Sequence, residues 1–136
     1  MNDNQIKIIK LPKIEDSRGN LSIIEQFKQI PFEIKRIHWI YDVPGGVQRG
    51  GHAYMKNSEF IVALSGSFDI EIDNGNEIKL FHLNRSYMGL FIPNGTWRVM
   101  KNFSTNSLAL ILSNTQFDTS DYIMDYEKFK KWIAEK

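Results

Sequence analysis

Side chains that can carry protons lie close together in a short, glycine-rich stretch of this sequence. His52, Tyr54 and Glu59 fall there between Gly51 and the next strand-like run. A histidine can accept a proton near neutral pH because its unperturbed pKa is about 6.5, and a tyrosine hydroxyl or a carboxyl group can also exchange one. His38 is a further candidate, although an ordinary strand position is equally open for it. These residue types indicate acid–base chemistry if the fold gathers them into one pocket.

Three arginines are candidates for binding an anion. A guanidinium presents a planar fork of donors, which suits phosphate and sugar oxygens better than the point charge of lysine. Arg18, Arg49 and Arg98 are these candidates, and each could instead be a solvated surface residue. Trp97 could stack on a sugar or a nucleobase, with a core role equally open.

The elements that must position these residues are mostly strands. Apolar runs of strand length alternate with polar or glycine-rich breaks. The runs cover residues 6–11, 21–27, 34–41, 60–64, 68–72, 77–83, 87–92, 97–100 and 108–112. A tight hairpin turn is predicted at 73–76, where Asp-Asn-Gly-Asn separates two alternating runs. Many short strands at this spacing predict an antiparallel sandwich or barrel.

The end of the chain follows a different pattern. Within 125–136 the apolar residues recur at helical spacing, with Glu and Lys between them. They are Tyr126, Phe129, Trp132 and Ile133. We therefore expect a short C-terminal helix with one face docked on the barrel.

Composition limits the class of protein. The 136 residues carry 17 Lys+Arg and 16 Asp+Glu, and a net charge of +1 offers no electrostatic case for binding nucleic acid or an anionic membrane surface. The chain has no cysteine, which excludes a disulfide scaffold and a zinc–thiolate site. No segment approaches the ~20 apolar residues of a membrane span. We expect one domain, 1–136, in a soluble and cytoplasmic protein.

The glycine-rich stretch resembles the first motif of the cupin superfamily, Gly-x5-His-x-His-x4-Glu-x6-Gly. Gly46, His52, Glu59 and Gly66 match it, and Tyr54 replaces the second histidine. The second motif, Pro-x-Gly-x2-His-x3-Asn, is matched at its proline, glycine and asparagine, and an arginine replaces its histidine. These positions are Pro93, Gly95, Asn102 and Arg98. The resemblance implies an all-β fold, the cupin double-stranded β-helix or jelly roll, with the short C-terminal helix added.

The two replacements bear on metal binding. A catalytic cupin metal is typically held by three histidines and one carboxylate, of which His52 and Glu59 remain here. A guanidinium stays protonated and has no lone pair to donate, so Arg98 cannot be a ligand. We expect no metal and no other cofactor, and an anion or a developing enolate oxygen near Arg98 instead.

A narrower resemblance covers nearly the whole chain. It is similar to the dTDP-sugar ketoisomerases, which convert dTDP-4-keto-6-deoxyglucose into its 3-keto isomer for the synthesis of 3-amino-3,6-dideoxyhexoses. The matching segments lie at 16–21, 34–37, 40–42, 49–53, 65–68, 93–98, 102–104 and 121–126. The implied reaction moves a proton from C3 to C4 through an enediol, and the implied substrate is a dTDP-linked 4-keto-6-deoxy sugar.

The resemblance assigns roles to the candidate residues. His52 is the matching histidine and the implied base, while Tyr54 or His38 would shuttle the hydroxyl proton or polarise the ketone. The family usually has a histidine where this chain has Tyr54 and a tyrosine where it has His38, so the two could have exchanged places across the barrel. Substrate binding is implied for Arg18, Arg49, Arg98 and Trp97, with Glu59 as a further acid/base group or a remnant of the metal motif.

Two alternatives belong to other classes. A cupin 3,5-epimerase of dTDP-sugars would use the same histidine and would exchange the proton at C5. A non-catalytic cupin that binds sugar nucleotides would leave the substrate unchanged. The family resemblance also implies a homodimer, and the strand-like run at 6–11 supports it because an unpaired edge would otherwise be exposed.

Overall fold

The computed structural model describes residues 5–136, and the first four residues of the expected domain 1–136 lie outside the described part. Twelve strands and one helix follow in chain order. They are β1 (Lys7–Lys10), β2 (Lys13–Asp16), β3 (Gly19–Ser22), β4 (Arg36–Tyr41), β5 (Arg49–Tyr54), β6 (Glu59–Ser65), β7 (Phe68–Asp73), β8 (Ile78–Leu83), β9 (Met88–Ile92), β10 (Trp97–Lys101), β11 (Leu108–Ser113), β12 (Tyr122–Ile123) and α1 (Tyr126–Ala134). A single 3-10 turn, Thr119–Asp121, precedes β12.

Two antiparallel five-stranded sheets face each other. The first has the strand order β1-β9-β6-β11-β4 and the second the order β12-β5-β10-β7-β8, while β2 and β3 form a separate hairpin. Apolar side chains from both sheets meet in the main core. Its buried members are Ile61, Ala63, Phe68, Ile70, Ile72, Leu83, Leu90, Ile92, Met100, Ala109 and Ile111. The expected jelly roll with a short C-terminal helix is confirmed.

Two smaller apolar clusters cover the outer faces of the sheets. Segment 23–35 lays Ile30 and Phe32 over Phe60 and Phe91 of the first sheet. Helix α1 buries Phe129 on the second sheet, beside Ala53 of β5. It begins at Asp125, whose carboxylate accepts a hydrogen bond from the Lys128 N–H.

The predicted elements differ from the structure in two main respects. Strands β2, β5 and β12 are not among the predicted runs, although β5 carries His52 and Tyr54. The run 21–27 is strand only as far as Ser22, at the end of β3. The chain then turns, and Phe27 has a left-handed φ of 61°, which is incompatible with a continuous strand. Packing of this segment on the first sheet outweighs its local strand preference. The turn predicted at 73–76 is confirmed, and Gly75 lies there at a φ of 96°.

No helix among residues 5–136 is long and apolar enough to cross a membrane.

Candidate active site

A cavity of about 340 Å³ lies between the two sheets. Strands β4, β6 and β11 line it from one sheet, and β5, β10 and β12 from the other. Its polar lining contains six of the eight candidate residues and one further residue. These side chains are His38, Arg49, His52, Tyr54, Glu59, Arg98 and Tyr122.

A bulge in β5 positions His52. Val99 pairs with Gly50 and Arg98 with His52, so Gly51 is an extra residue on this strand. Gly51 has a φ of 56° and Gly50 a φ of 99°, values that a residue with a side chain adopts only with strain. The glycine pair therefore permits the backbone geometry that brings the His52 ring over the carbonyl of Gly50.

The hydrogen bond to that carbonyl assigns the two ring nitrogens of His52. Nδ1 lies 3.0 Å from the Gly50 carbonyl oxygen. Because a carbonyl oxygen only accepts, Nδ1 must carry the proton, which leaves the lone pair of a neutral ring on Nε2. Nε2 is buried and has no hydrogen-bond partner within residues 5–136. An imidazole in this state presents an unused proton acceptor.

The surroundings keep His52 neutral. Burial lowers the pKa of His52, and the positive charge of Arg98 lowers it further, against smaller opposing contributions from the Gly50 carbonyl and Glu59. Burial likewise lowers the pKa of His38, which faces the cavity from β4. Both histidines are thus free bases at neutral pH.

A buried ion pair forms part of the cavity wall. The Arg98 guanidinium donates to the Glu59 carboxylate, and their side chains are 1% and 4% exposed. Arg98 also donates to the Thr96 carbonyl through Nη2 at 3.2 Å, and Ser113 Oγ lies 3.5 Å from the other Glu59 oxygen. Two buried charges thus compensate each other, and the pair holds the guanidinium rigidly.

Three aromatic rings pack together beside this pair. The Tyr54 ring lies edge-on to His52 at 4.8 Å between centroids, with the Arg98 guanidinium 5.1 Å from its centre. The Tyr122 ring is 5.2 Å from His52, and its hydroxyl is 3.2 Å from that of Tyr54. Burial strongly raises the pKa of Tyr54 and the nearby Glu59 carboxylate adds to the effect, so Tyr54 remains a phenol.

Two of the sequence candidates lie away from the cavity. Arg18 is on the β2–β3 hairpin, where it pairs with Asp16 and its side chain is 88% exposed. Trp97 is on the opposite face of β10 from Arg98, and it packs against Tyr126 and Phe129 of α1. The core role that the sequence left open for Trp97 is the one in the structure. Strand alternation is the physical reason, since neighbouring residues point to opposite faces.

Tyr122 is a polar residue of the cavity lining that is not among the candidates from the sequence. It lies in the matching segment 121–126, so that segment was the available signal. What places it in the cavity is the pairing of β12 with β5, in which Tyr122 is opposite Tyr54. Such a short strand gives almost no local pattern of its own.

The cavity does not fit a cupin metal. The Tyr54 phenol and the Arg98 guanidinium occupy two of the four ligand positions. Glu59 occupies a third position, and its carboxylate is paired with Arg98. Within the described residues no group of three or more His, Cys, Asp or Glu side chains could hold a metal ion.

Comparisons with known proteins fit this site. Residues 4–134 match the family model FdtA, described as WxcM-like, C-terminal. A TDP-4-oxo-6-deoxy-alpha-D-glucose-3,4-oxoisomerase of Aneurinibacillus thermoaerophilus is 41% identical over 94% of this chain and 92% of its own. A 3,4-ketoisomerase from Helicobacter canadensis is 37% identical with a TM-score of 0.92, covering 95% of this chain and 97% of that one.

Two further structures extend the comparison. A histidine-to-asparagine variant of the 3,4-ketoisomerase QdtA from Thermoanaerobacterium thermosaccharolyticum, in complex with TDP-4-keto-6-deoxyglucose, is 32% identical with a TM-score of 0.94 over 100% of this chain and 98% of that one. A dTDP-4-dehydrorhamnose 3,5-epimerase from Bacillus anthracis is 13% identical with a TM-score of 0.78 over 90% and 79%. That second likeness concerns the fold alone.

Proposed function

Because the chain belongs to the FdtA family and is, like its relatives, a 3,4-ketoisomerase of TDP-sugars, we propose that it moves the keto group of TDP-4-keto-6-deoxyglucose from C4 to C3 with His52 as the base. The observation that carries the assignment of the base is the buried, unpartnered Nε2 of His52. Its tautomer is set by Gly50, and its neutral state by burial and by Arg98.

The reaction needs a base for the carbon proton, a path for a second proton from the C3 hydroxyl to the C4 oxygen, and a site for negative charge. Nε2 takes the proton from C3, and the electrons of that C–H bond form the C3=C4 double bond of an enediol. The imidazolium then returns the proton to C4 as the C3 carbonyl forms. While the proton is on His52, the nearby guanidinium of Arg98 favours its departure and stabilises charge on the enediolate oxygens.

The other cavity residues support this step. Arg49 lines the cavity and is exposed, which suits contact with the diphosphate. Glu59 holds Arg98 in place through the buried ion pair. His38 faces the cavity from the opposite sheet, and we propose that it orients a sugar hydroxyl. The reaction then requires no metal.

The test of the reaction is direct. We expect incubation with TDP-4-keto-6-deoxyglucose, followed by NMR, to show the 3-keto isomer, and an added 3-aminotransferase should trap this labile product. Deuterium from D2O should enter at C3 and C4 but not at C5. Incorporation at C5 would instead identify an epimerase, and binding of TDP without any change in the sugar would identify a non-catalytic binding protein.

We also propose that two copies form a homodimer. On the edge strand β4, Ile37, Trp39 and Tyr41 are 52%, 57% and 61% exposed, and Ile14 and Leu21 of the β2–β3 hairpin are 52% and 54% exposed. A second copy would cover this apolar surface. Strand β1, from the run at 6–11, pairs with β9 on one side and is the other edge strand of the first sheet.

The hairpin offers a place for Arg18 in such a dimer. Within the described chain, β2 and β3 pair with each other and with neither large sheet. We propose that this exposed hairpin lies against the partner subunit and that Arg18 contributes to substrate binding there. A cytoplasmic location is proposed too, because nucleotide-activated sugars are made there from nucleoside triphosphates, and cell fractionation would test it.

A further inference from the structure

Two tyrosine hydroxyls meet in the cavity wall beside the proposed base. Tyr122 and Tyr54 are register partners on β12 and β5, their ring centroids are 4.6 Å apart, and their hydroxyl oxygens are 3.2 Å apart. The Tyr122 ring also contacts His52 at 5.2 Å between centroids. A phenol is therefore positioned next to the imidazole that removes the carbon proton.

The two phenols differ in their access to a bound sugar. Tyr54 is 2% exposed and lies between His52 and the Arg98 guanidinium. Tyr122 is half-buried and lines both the cavity and the neighbouring groove that contains Met124 and Trp132. Tyr122 is thus the phenol that can reach the substrate, with Tyr54 behind it.

The direction of the hydrogen bond follows from the same surroundings. Burial raises the pKa of Tyr54, so its hydroxyl keeps its proton and can donate it to the Tyr122 oxygen. The proton of Tyr122 is then free to point into the cavity. When Tyr122 loses that proton, the hydrogen bond donated by Tyr54 stabilises the resulting phenolate.

We propose that Tyr122 is the catalytic residue that moves the proton between the two substrate oxygens, with Tyr54 as its positioning residue. This inference rests on the proposed function. After His52 has taken the C3 proton and the C3=C4 bond has formed, the Tyr122 hydroxyl protonates the C4 oxygen. The resulting phenolate then takes the proton of the C3 hydroxyl, the C3=O bond forms, and His52 returns its proton to C4. Both residues end in their starting state.

The test compares two tyrosine-to-phenylalanine variants with a matched control. Tyr122→Phe keeps the ring and its packing, and we expect kcat to fall by roughly 100-fold or more. Tyr54→Phe should cost less, and the double variant should be no slower than Tyr122→Phe, since the two hydroxyls act as a unit. Tyr126→Phe removes a phenol that binds Asp73 outside the cavity, and it should leave kcat unchanged.

A second readout separates proton transfer from a structural effect. In D2O the Tyr122→Phe enzyme should still exchange the C3 proton through His52 but complete few turnovers. The ratio of deuterated substrate to product should therefore rise above that of the wild type. A purely structural role would lower exchange and product formation together.

Three results would overturn the inference. They are normal turnover in Tyr122→Phe, an unchanged deuterium ratio, and additive losses in the double variant. Normal turnover in Tyr122→Phe together with an inactive His52→Asn enzyme would overturn this role and leave the proposed function intact. A wild-type enzyme that neither exchanges nor isomerises the substrate would show instead that the proposed function itself is wrong.

Discussion

At the scale of single residues, the orientation of one imidazole determines the chemistry of the cavity. The Gly50 carbonyl holds the proton of His52 on Nδ1, and burial with a neighbouring guanidinium keeps the ring neutral. A general base needs a free lone pair at the operating pH, and Nε2 meets that requirement.

Replacing His52 should remove the base and preserve binding. His52→Asn retains a polar group of similar shape, and the rate should fall by roughly 10²–10⁴-fold because general-base catalysis is lost. Binding of TDP, measured by calorimetry, should hardly change. His38→Asn and Tyr54→Phe should each cost less. His82→Asn is the matched control, since His82 lies outside the cavity beside Asp69; near-normal turnover in His52→Asn would move the base elsewhere.

The pH profile should have its acid limb at low pH. Burial and Arg98 lower the pKa of His52, so the ring becomes an imidazolium, unable to accept a proton, only below the usual value of about 6.5. The limb of kcat/KM should therefore lie below that pH. His38→Asn should keep this limb. A limb above the usual histidine range would contradict the environment described for His52.

At the scale of elements, three strands bring the former metal-ligand positions together. Strands β5, β6 and β10 supply His52, Glu59 and Arg98, and the last two form an ion pair. Dialysis against a strong chelator should leave turnover unchanged, because a guanidinium occupies the place of a ligand. Loss of activity that an added divalent ion restores would show the opposite.

The bulge in β5 is a second feature at this scale. Gly51 has a φ of 56°, and an alanine in such a left-handed conformation costs about 1–2 kcal/mol. We expect Gly51→Ala to lower the free energy of unfolding in urea by about that amount. Gly45→Ala is the control, because Gly45 has no positive φ and a Cβ there would meet nothing within 4 Å. Equal effects of the two substitutions would argue against a strained bulge.

At the scale of the whole molecule, the proposed homodimer depends on the exposed apolar side chains of β4 and of the β2–β3 hairpin. Burial of Ile37, Trp39 and Tyr41 by a second copy would remove most of their contact with water. We expect sedimentation at micromolar concentration to give twice the mass of one chain. Trp39→Asp should shift the protein toward the monomer, and Ile78→Asp, on the exposed face of β8, should not. A wild-type monomer would end the proposal.

Local sequence was sufficient for several of these features. The alternating runs predicted most of the strands, and the Asp-Asn-Gly-Asn segment predicted a turn. The helical spacing of apolar residues within 125–136 predicted the C-terminal helix. The two motifs predicted the jelly roll, and their spacing selected His52, Glu59 and Arg98. The resemblance to the ketoisomerases depended on many short segments in the right order. No single segment would have been specific enough to identify the family.

Other features depended on how the strands come together. His38 and His52 lie on strands of different sheets, and they share a cavity because the two sheets pack face to face. Tyr122 enters that cavity through the pairing of β12 with β5, whereas Trp97, on the outer face of β10, packs under α1. Sequence spacing determined which side chains are neighbours along a strand. Only tertiary packing, the sum of many weak contacts between distant segments, decided which of them meet across the cavity.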